Sequence, residues 1–278
     1  MKKVLIFTFS GIILLAFIIK LVSPSSDYSD DLDEVALFLS NETNWDNNNS
    51  NYPLNPNLDS VVVIHYLGFD ILYDCKKLQP IWVDYTLTAE KVEQTKHSPK
   101  VHRHFMSDTN LMLPQASNVD YKNSGWVRGH MARRQDMKWS EQAVRESDYF
   151  TNICPQDSAM NNDIWHDIEN LVRRVATQYD SVHVICGPIF TDNANGYIGP
   201  NRLPVPDYFF KTLLVKDATG YHSIAFLCPN DAKPLTMKEA ACTVDKVEAM
   251  SKIDVYSYLP DQTESTIENT FNLKLWGL

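Results

Sequence analysis

The tripeptide Arg128-Gly129-His130 places a guanidinium and an imidazole two residues apart. In an extended segment, residues i and i+2 point to the same side of the chain, so both groups can face one pocket. Arginine offers a fork of donors suited to phosphate, and histidine can take a proton from water near neutral pH. Further along, Thr151-Asn152-Ile153-Cys154-Pro155-Gln156 precedes Asn161, Trp165 and Glu169. Trp165 and Glu169 are i, i+4 neighbours on a helix, with Asn161 one turn earlier. An amide oxygen and a carboxylate on one helical flank suit a hard cation such as Mg²⁺, held through oxygens and waters. Taken singly, each residue has a plainer account. Asn161 can be a helix N-cap, Asn152 a turn residue, Glu169 a solvated helix charge and Arg-Gly-His a chance tripeptide.

Strands and one strong helix must position these groups. Val61–Tyr66 and Ile81–Leu87 are β-rich runs suited to pairing with each other, and Tyr149–Thr151, Val182–Cys186, Tyr208–Val215 and Tyr221–Leu227 have the same texture. Ile164, Ile168, Leu171, Val172 and Val175 repeat along one helical face, with Asn161 or Asp163 as the expected cap. Val244–Met250 and Thr266–Phe271 are weaker helical segments. Strands and helices do not alternate regularly, which points to an α+β domain with a mixed or antiparallel central sheet.

Composition sets the bounds. A chain of 278 residues with 44% hydrophobic and 22% charged residues is of ordinary globular make-up. The net charge of −10 is unlike a surface built to grip phosphate. It is uneven, however. Residues 27–59 hold eight carboxylates and no Lys or Arg, and residues 1–26 hold three lysines and no acid, which leaves −5 for residues 60–278. Lys100 to Arg145 carries eight basic residues against four acidic ones, a locally positive stretch in an acidic protein. Lys2 and Lys3 precede the apolar run Val4–Ile19, so residues 1–23 read as a signal peptide or signal anchor. The expected destination is extracytoplasmic: secreted, periplasmic, or tethered to a membrane through residues 4–22. Residues 24–59 are rich in Asp, Asn and Ser and read as a disordered tether, leaving 60–278 as the working domain. Five cysteines, Cys75, Cys154, Cys186, Cys228 and Cys242, show no zinc spacing and read as buried thiols, with one or two disulfides as the alternative.

The ordered set RGHMA, TNICPQ, Asn161, Trp165 and Glu169 resembles the DNA/RNA non-specific endonuclease family, the ββα-metal nucleases that include secreted bacterial nucleases and mitochondrial endonuclease G. Arg103-His-Phe-Met-Ser-Asp108 resembles its upstream R-x-aromatic-x-x-D element, and Val184–Phe190 its G-P-x-F strand. Pro206–Lys211, Ile224–Asn230 and the run CTVDKVEAMSKIDVYSYLPD resemble later elements, so the likeness covers about Ser60 to the C-terminus. The resemblance implies His130 as general base, Asn161 as direct metal ligand and Asn152 as support for the base or for metal waters. It implies Glu169 as holder of those waters, with Arg103 and Arg128 on the phosphate. Two positions depart from the family: Val127 stands where it usually has Asp, and Arg133 where it usually has Pro.

The implied activity is hydrolysis of DNA or RNA phosphodiesters with one Mg²⁺, Mn²⁺ being a possible substitute, leaving 5′-phosphate ends with little sequence preference. The rival is a nucleic-acid-binding module of the same fold, its catalysis weakened through Val127 and Arg133. The set His130, Asn152, Asn161 and Glu169 is intact, which favours the enzyme. An unrelated α+β domain would require the whole ordered set to be coincidence.

Overall fold

The computed structural model describes residues 60–98, 100–191 and 195–278. The signal segment and the tether expected within residues 1–59 lie outside these. The chain divides into two units by contact. Of one, the described part is Thr109–Pro114, which has no helix or strand. Everything else below belongs to the other, Ser50–Asp108 with Gln115–Leu278.

Its frame is one seven-stranded sheet in the order β1-β2-β3-β6-β9-β10-β11. The strands are β1 (Val61–His65), β2 (Asp70–Asp74), β3 (Gln79–Thr88), β6 (Ser181–Ile189), β9 (Tyr208–Asp217), β10 (Gly220–Pro229) and β11 (Ala241–Cys242). Every neighbouring pair in it is antiparallel, so the sheet is antiparallel rather than mixed. The apolar runs at Ile81–Leu87, Val182–Cys186, Tyr208–Val215 and Tyr221–Leu227 all become strands. Val61–Tyr66 and Ile81–Leu87 do not pair with each other, because β2 lies between them and bonds to both. Tyr149–Thr151 is not a strand. Phe150–Asn152 form a 3₁₀ turn, and the strand β5 (Ile153–Gln156) begins after it, paired with β4 (Val127–His130). A short hairpin of β7 (Tyr197–Ile198) and β8 (Leu203–Pro204) completes the strands among the described residues.

Side chains alternate across a strand, and the alternation sorts the molecule into three layers. On β9, Phe209 packs at a tilt against Trp165, and the Lys211 ammonium lies 4.4 Å from the same indole. Thr212, one position on, faces the other way, toward Tyr256. On β6, Cys186 reaches Met131 while His183 bonds Tyr258 and Asp84. The sheet is therefore covered on both faces, which is why its central strands are almost continuously apolar. One face carries β4, β5 and the long helix. The other carries the C-terminal segment. All five cysteines are free, and four of them are buried.

Among the described residues, eight α-helical segments accompany the sheet: α1 (Ala89–Gln94), α2 (Asn118–Tyr121), α3 (Glu141–Ser147), α4 (Ser158–Met160), α5 (His166–Gln178), α6 (Met237–Ala240), α7 (Val244–Ser251) and α8 (Asp261–Glu268). The helix expected over Thr266–Phe271 thus starts and ends earlier. A π-helical turn, Asn161–Trp165, joins α4 to α5 in one helical run. Ile168, Leu171, Val172 and Val175 bury the apolar face of α5 as their spacing predicts. The cap is neither Asn161 nor Asp163. Asp157 caps the run, accepting from Ala159 N at 2.8 Å and Met160 N at 3.1 Å. Asp157→Ala should therefore cost about 1 kcal/mol, measured by urea unfolding, and Asp157→Asn should cost much less.

β3 and β6 are adjacent strands, paired from Val83↔Cys186 to Thr88↔Ser181. The chain leaves the sheet at Ala89 and returns at Asp180, where Ala89 N donates to Asp180 O at 2.8 Å. Arg103, Arg128, His130, Asn152, Asn161 and Glu169 all lie on this one excursion.

Candidate active site

Arg128 and His130 sit in β4, an extended strand, and both pack on one ring. Phe105 lies 5.0 Å from the Arg128 guanidinium and 5.3 Å from the His130 ring centroid. Arg103, exposed, stands 6.0 Å from the same ring. Arg128 also donates to Asn118 Oδ1 at 3.1 Å. The aromatic of the R-x-aromatic-x-x-D element is thus a platform that gathers two arginines and the histidine around one ring. Its closing Asp108 accepts from Tyr66 at 3.1 Å, anchoring the element to the end of β1.

Gly129 has a steric reason. A Cβ there would collide with the side chain of Gln156, which crosses β4 at that point. Gln156 Oε1 in turn accepts from Asn161 Nδ2. The last residue of TNICPQ therefore couples the glycine of RGH to the helical asparagine. Asn161 sits in the π turn with helical backbone angles and is no N-cap. π turns insert an extra residue and recur at functional sites because they re-aim a side chain. With its nitrogen engaged on Gln156, the carbonyl end of the amide is the half left for a cation.

His130 is oriented by a residue the sequence reading missed. Its Nε2 lies 3.1 Å from Asp148 Oδ1. Asp148 also accepts from Arg134 Nε at 3.0 and 3.1 Å and from the His104 backbone at 3.2 Å. Burial pushes the Asp148 carboxyl up, but the bonds from His130 and Arg134 outweigh it and hold the pKa below the usual value. An ionised carboxylate can only accept, so Nε2 donates and the free lone pair of His130 is on Nδ1. Burial lowers the His130 pKa, Asp148 opposes this, and Arg103 and Arg134 lower it further; the net shift is downward. The imidazole is therefore neutral at pH 7, as a base must be. No sequence spacing marks Asp148; the cue is chemical, since a base histidine usually needs a carboxylate behind it.

Asn152 faces inward. It is fully buried, its Oδ1 accepts from Ala132 N at 2.8 Å, and its Nδ2 donates to Ala132 O at 3.0 Å and Ser147 O at 2.8 Å. These bonds use the amide on backbone, so of its two expected roles only support of the base loop has a geometric basis. Trp165 Nε1 adds a bond to His130 O at 3.3 Å. Beneath the loop, Lys211 Nζ and Cys186 Sγ both donate to Met131 O, at 3.4 and 3.3 Å.

Glu169 is not a solvated helix charge. It is buried, and Arg133 Nε sits 3.0 Å from its Oε2. Burial raises its pKa to about 7 despite the lowering effects of Lys211 and Arg133, and Asp136 adds to the rise. Arg133 also reaches Asn170 Oδ1 at 3.0 Å and His166 Nδ1 at 3.2 Å. The departure from the family pattern at Arg133 therefore ties the segment after His130 to α5. Val127, the other departure, sits opposite Gln156 in the β4–β5 pair.

The family sequence profile for DNA/RNA non-specific endonucleases matches residues 46–262. Among curated relatives, Nuclease 1, mitochondrial, of Schizosaccharomyces pombe is 30% identical over 69% of this chain and 65% of its own length. Endonuclease G, mitochondrial, of Caenorhabditis elegans is 30% identical over 70% and 68%, and the human protein of that name is 29% identical over 59% and 58%. The chain thus spans about two thirds or less of the length of these relatives. The structure is similar to that of the EndoG/EndoGI complex, with a TM-score of 0.64 and 25% identity over 75% of this chain and 90% of that one. These relatives, mitochondrial by name, overturn the extracytoplasmic destination expected from residues 1–23. A charged start before an apolar run does not by itself name the destination, because more than one targeting route uses an N-terminal segment. The membrane tether expected through residues 4–22 lies outside the described residues; among those described, no helix is long and apolar enough to cross a membrane. Hairpin, helix and profile agree, and the chain belongs to the DNA/RNA non-specific endonuclease family.

Proposed function

We propose that this protein hydrolyses phosphodiester bonds of DNA, RNA or both, with little sequence preference and 5′-phosphate products, and that residues 60–278 carry the activity behind a tether at 24–59. The observation that carries this reading is the orientation of His130. Asp148 holds Nε2, so the basic Nδ1 is left to take a proton from water. Arg128 and Arg103, gathered on Phe105 beside the imidazole, neutralise the non-bridging oxygens of the phosphate. Their contacts address the backbone and not the base edges, in keeping with weak sequence preference.

One divalent ion, Mg²⁺ with Mn²⁺ as substitute, would be held by the Asn161 amide oxygen, with Glu169 behind its waters. The donor set fits: a neutral amide oxygen and one carboxylate are the hard, sparse ligands of an ion that keeps most of its water. When bound, it supplies charge stabilisation to the phosphorane and the departing 3′-oxygen. The Arg133–Glu169 pair favours a second reading, a nucleic-acid-binding module whose catalysis has weakened, because that carboxylate is already engaged. Plasmid nicking by the full chain with Mg²⁺, and its loss with EDTA, tests the first reading. Retention of plasmid in a gel shift without any nicking would establish the second.

The pH profile offers a finer test. Because the His130 pKa is lowered, kcat/KM should rise with pH through an apparent pKa below that of an ordinary histidine and then level off. Asp148 raises that pKa, so Asp148→Asn should move the acidic limb to lower pH while lowering the plateau. An unmoved limb would detach Asp148 from His130.

A further inference from the structure

A second group of carboxylates lies across the sheet from His130. Asp245 and Glu248 stand one turn apart on α7, and Glu268 is the last residue of α8. Ser223 on β10 donates to Ile267 O at 2.5 Å, fixing the end of α8 against the C-terminal face of the sheet. One carboxylate oxygen from each of the three residues lies within 4.8 Å of the other two. Glu268 is only 6% exposed, and its Oε1 is buried with no hydrogen-bond partner. Glu248 Oε1 accepts from Val255 N at 2.8 Å. Asp254 and Glu264 adjoin the group and add to its negative field.

No basic side chain balances these carboxyls. Among the described residues, no Lys, Arg or His forms an ion pair with any of the five. Glu268 also ends a helix, where the dipole is negative and a cation is the favoured neighbour, yet the last turn of α8 holds no basic residue. A buried carboxylate oxygen without a donor is costly. Three carboxyls converging from two helices, one of them buried with an oxygen that no donor reaches, have the form of a ligand set without its ion.

We propose that Asp245, Glu248 and Glu268 bind a hard divalent cation, calcium in preference to magnesium, which clamps α7 to α8. Carboxylate oxygens up to 4.8 Å apart fit across a calcium ion, whose bonds of roughly 2.3–2.6 Å span about 5 Å, whereas magnesium spans only ~4 Å. Exposed Asp245 leaves one side open for the waters that complete the shell. The site stabilises the C-terminal layer and takes no part in the chemistry at His130.

The test uses the full chain, stripped of metal, with CaCl₂ or MgCl₂ added during titration calorimetry and thermal unfolding. Wild type should bind one more calcium than the Glu248→Gln/Glu268→Gln variant. At about a hundredfold excess over Kd, calcium should raise the wild-type Tm by roughly 5–10 °C, a shift the variant loses and Asn161→Ala keeps. Without calcium the variant should melt at or above wild type, because it has lost like-charge repulsion. If the double variant does not fold, Asp245→Asn at the exposed edge should still weaken calcium binding at least tenfold. Equal calcium stoichiometry in wild type and variant would overturn the proposal. So would a larger shift from magnesium than from calcium, or a Tm that follows pH and ignores both ions, the mark of a shared proton.

Discussion

His130→Ala should cut turnover by at least ~10²-fold, the usual scale for loss of a general base, while leaving nucleic-acid binding close to wild type. The separation follows from the geometry: Arg103 and Arg128 rest on Phe105, and neither needs the imidazole to hold its place. The measurement is single-turnover cleavage beside fluorescence-anisotropy binding. Folding should survive, because the loop after His130 is held by Asn152 and Lys211 through Ala132 and Met131. Near-normal turnover would move the base elsewhere and leave Asp148 as a purely structural hub.

Asn161→Ala should abolish Mg²⁺-dependent cleavage with little change in stability. If Asn161 capped the helix, its loss would cost about 1 kcal/mol; but Asp157 holds that position, and alanine is the better helix former at an interior site. The lost bond to Gln156 is the main structural cost. Asn161→Asp sharpens the comparison, since it keeps an oxygen but adds a charge and removes the donor to Gln156. Its Mg²⁺ dependence should shift, while its thermal unfolding should fall only by the cost of the lost Gln156 bond. Wild-type Mg²⁺ curves in both variants would mean that the ion is held by other residues.

Much of this arrangement was open to reading before any coordinates. The central strands announce themselves because, buried on both faces, they carry branched and aromatic residues without a break. α5 does so because one face alone is apolar. Arg128 and His130 could be placed on one side from a single extended tripeptide. What escaped was set by tertiary contacts. Asp70–Asp74 is too short and too acidic at its ends to look like a strand, yet β1 and β3 both pair with it. Tyr149–Thr151 has strand-like residues, but Phe150 N is taken by Met106 O at 3.0 Å and the chain turns. α8 lacks a repeating apolar face, so its limits could not be fixed. At the site, Phe105 and Gln156 lie within recognisable motifs, but their purposes are steric: one is a platform, the other a bar across Gly129. Asp148 carries no spacing signal at all. Glu169 looked like surface charge because sequence gives no hint that Arg133, thirty-six positions earlier, would come to lie against it.

The excursion between β3 and β6 bears on how such a protein can change. Its two ends are fastened side by side by Ala89 and Asp180, so the polymer cost of closing it depends only logarithmically on its length. Each doubling adds about 0.6 kcal/mol. Residues can be inserted into or removed from this lobe at small expense to the sheet that closes it. The tight constraint lies at the lobe's floor, where Lys211, Cys186 and Phe209 rise from the sheet to meet Met131 and Trp165. Variation in loop length should therefore accumulate along the rim of the lobe, while these few points of contact drift slowly and together.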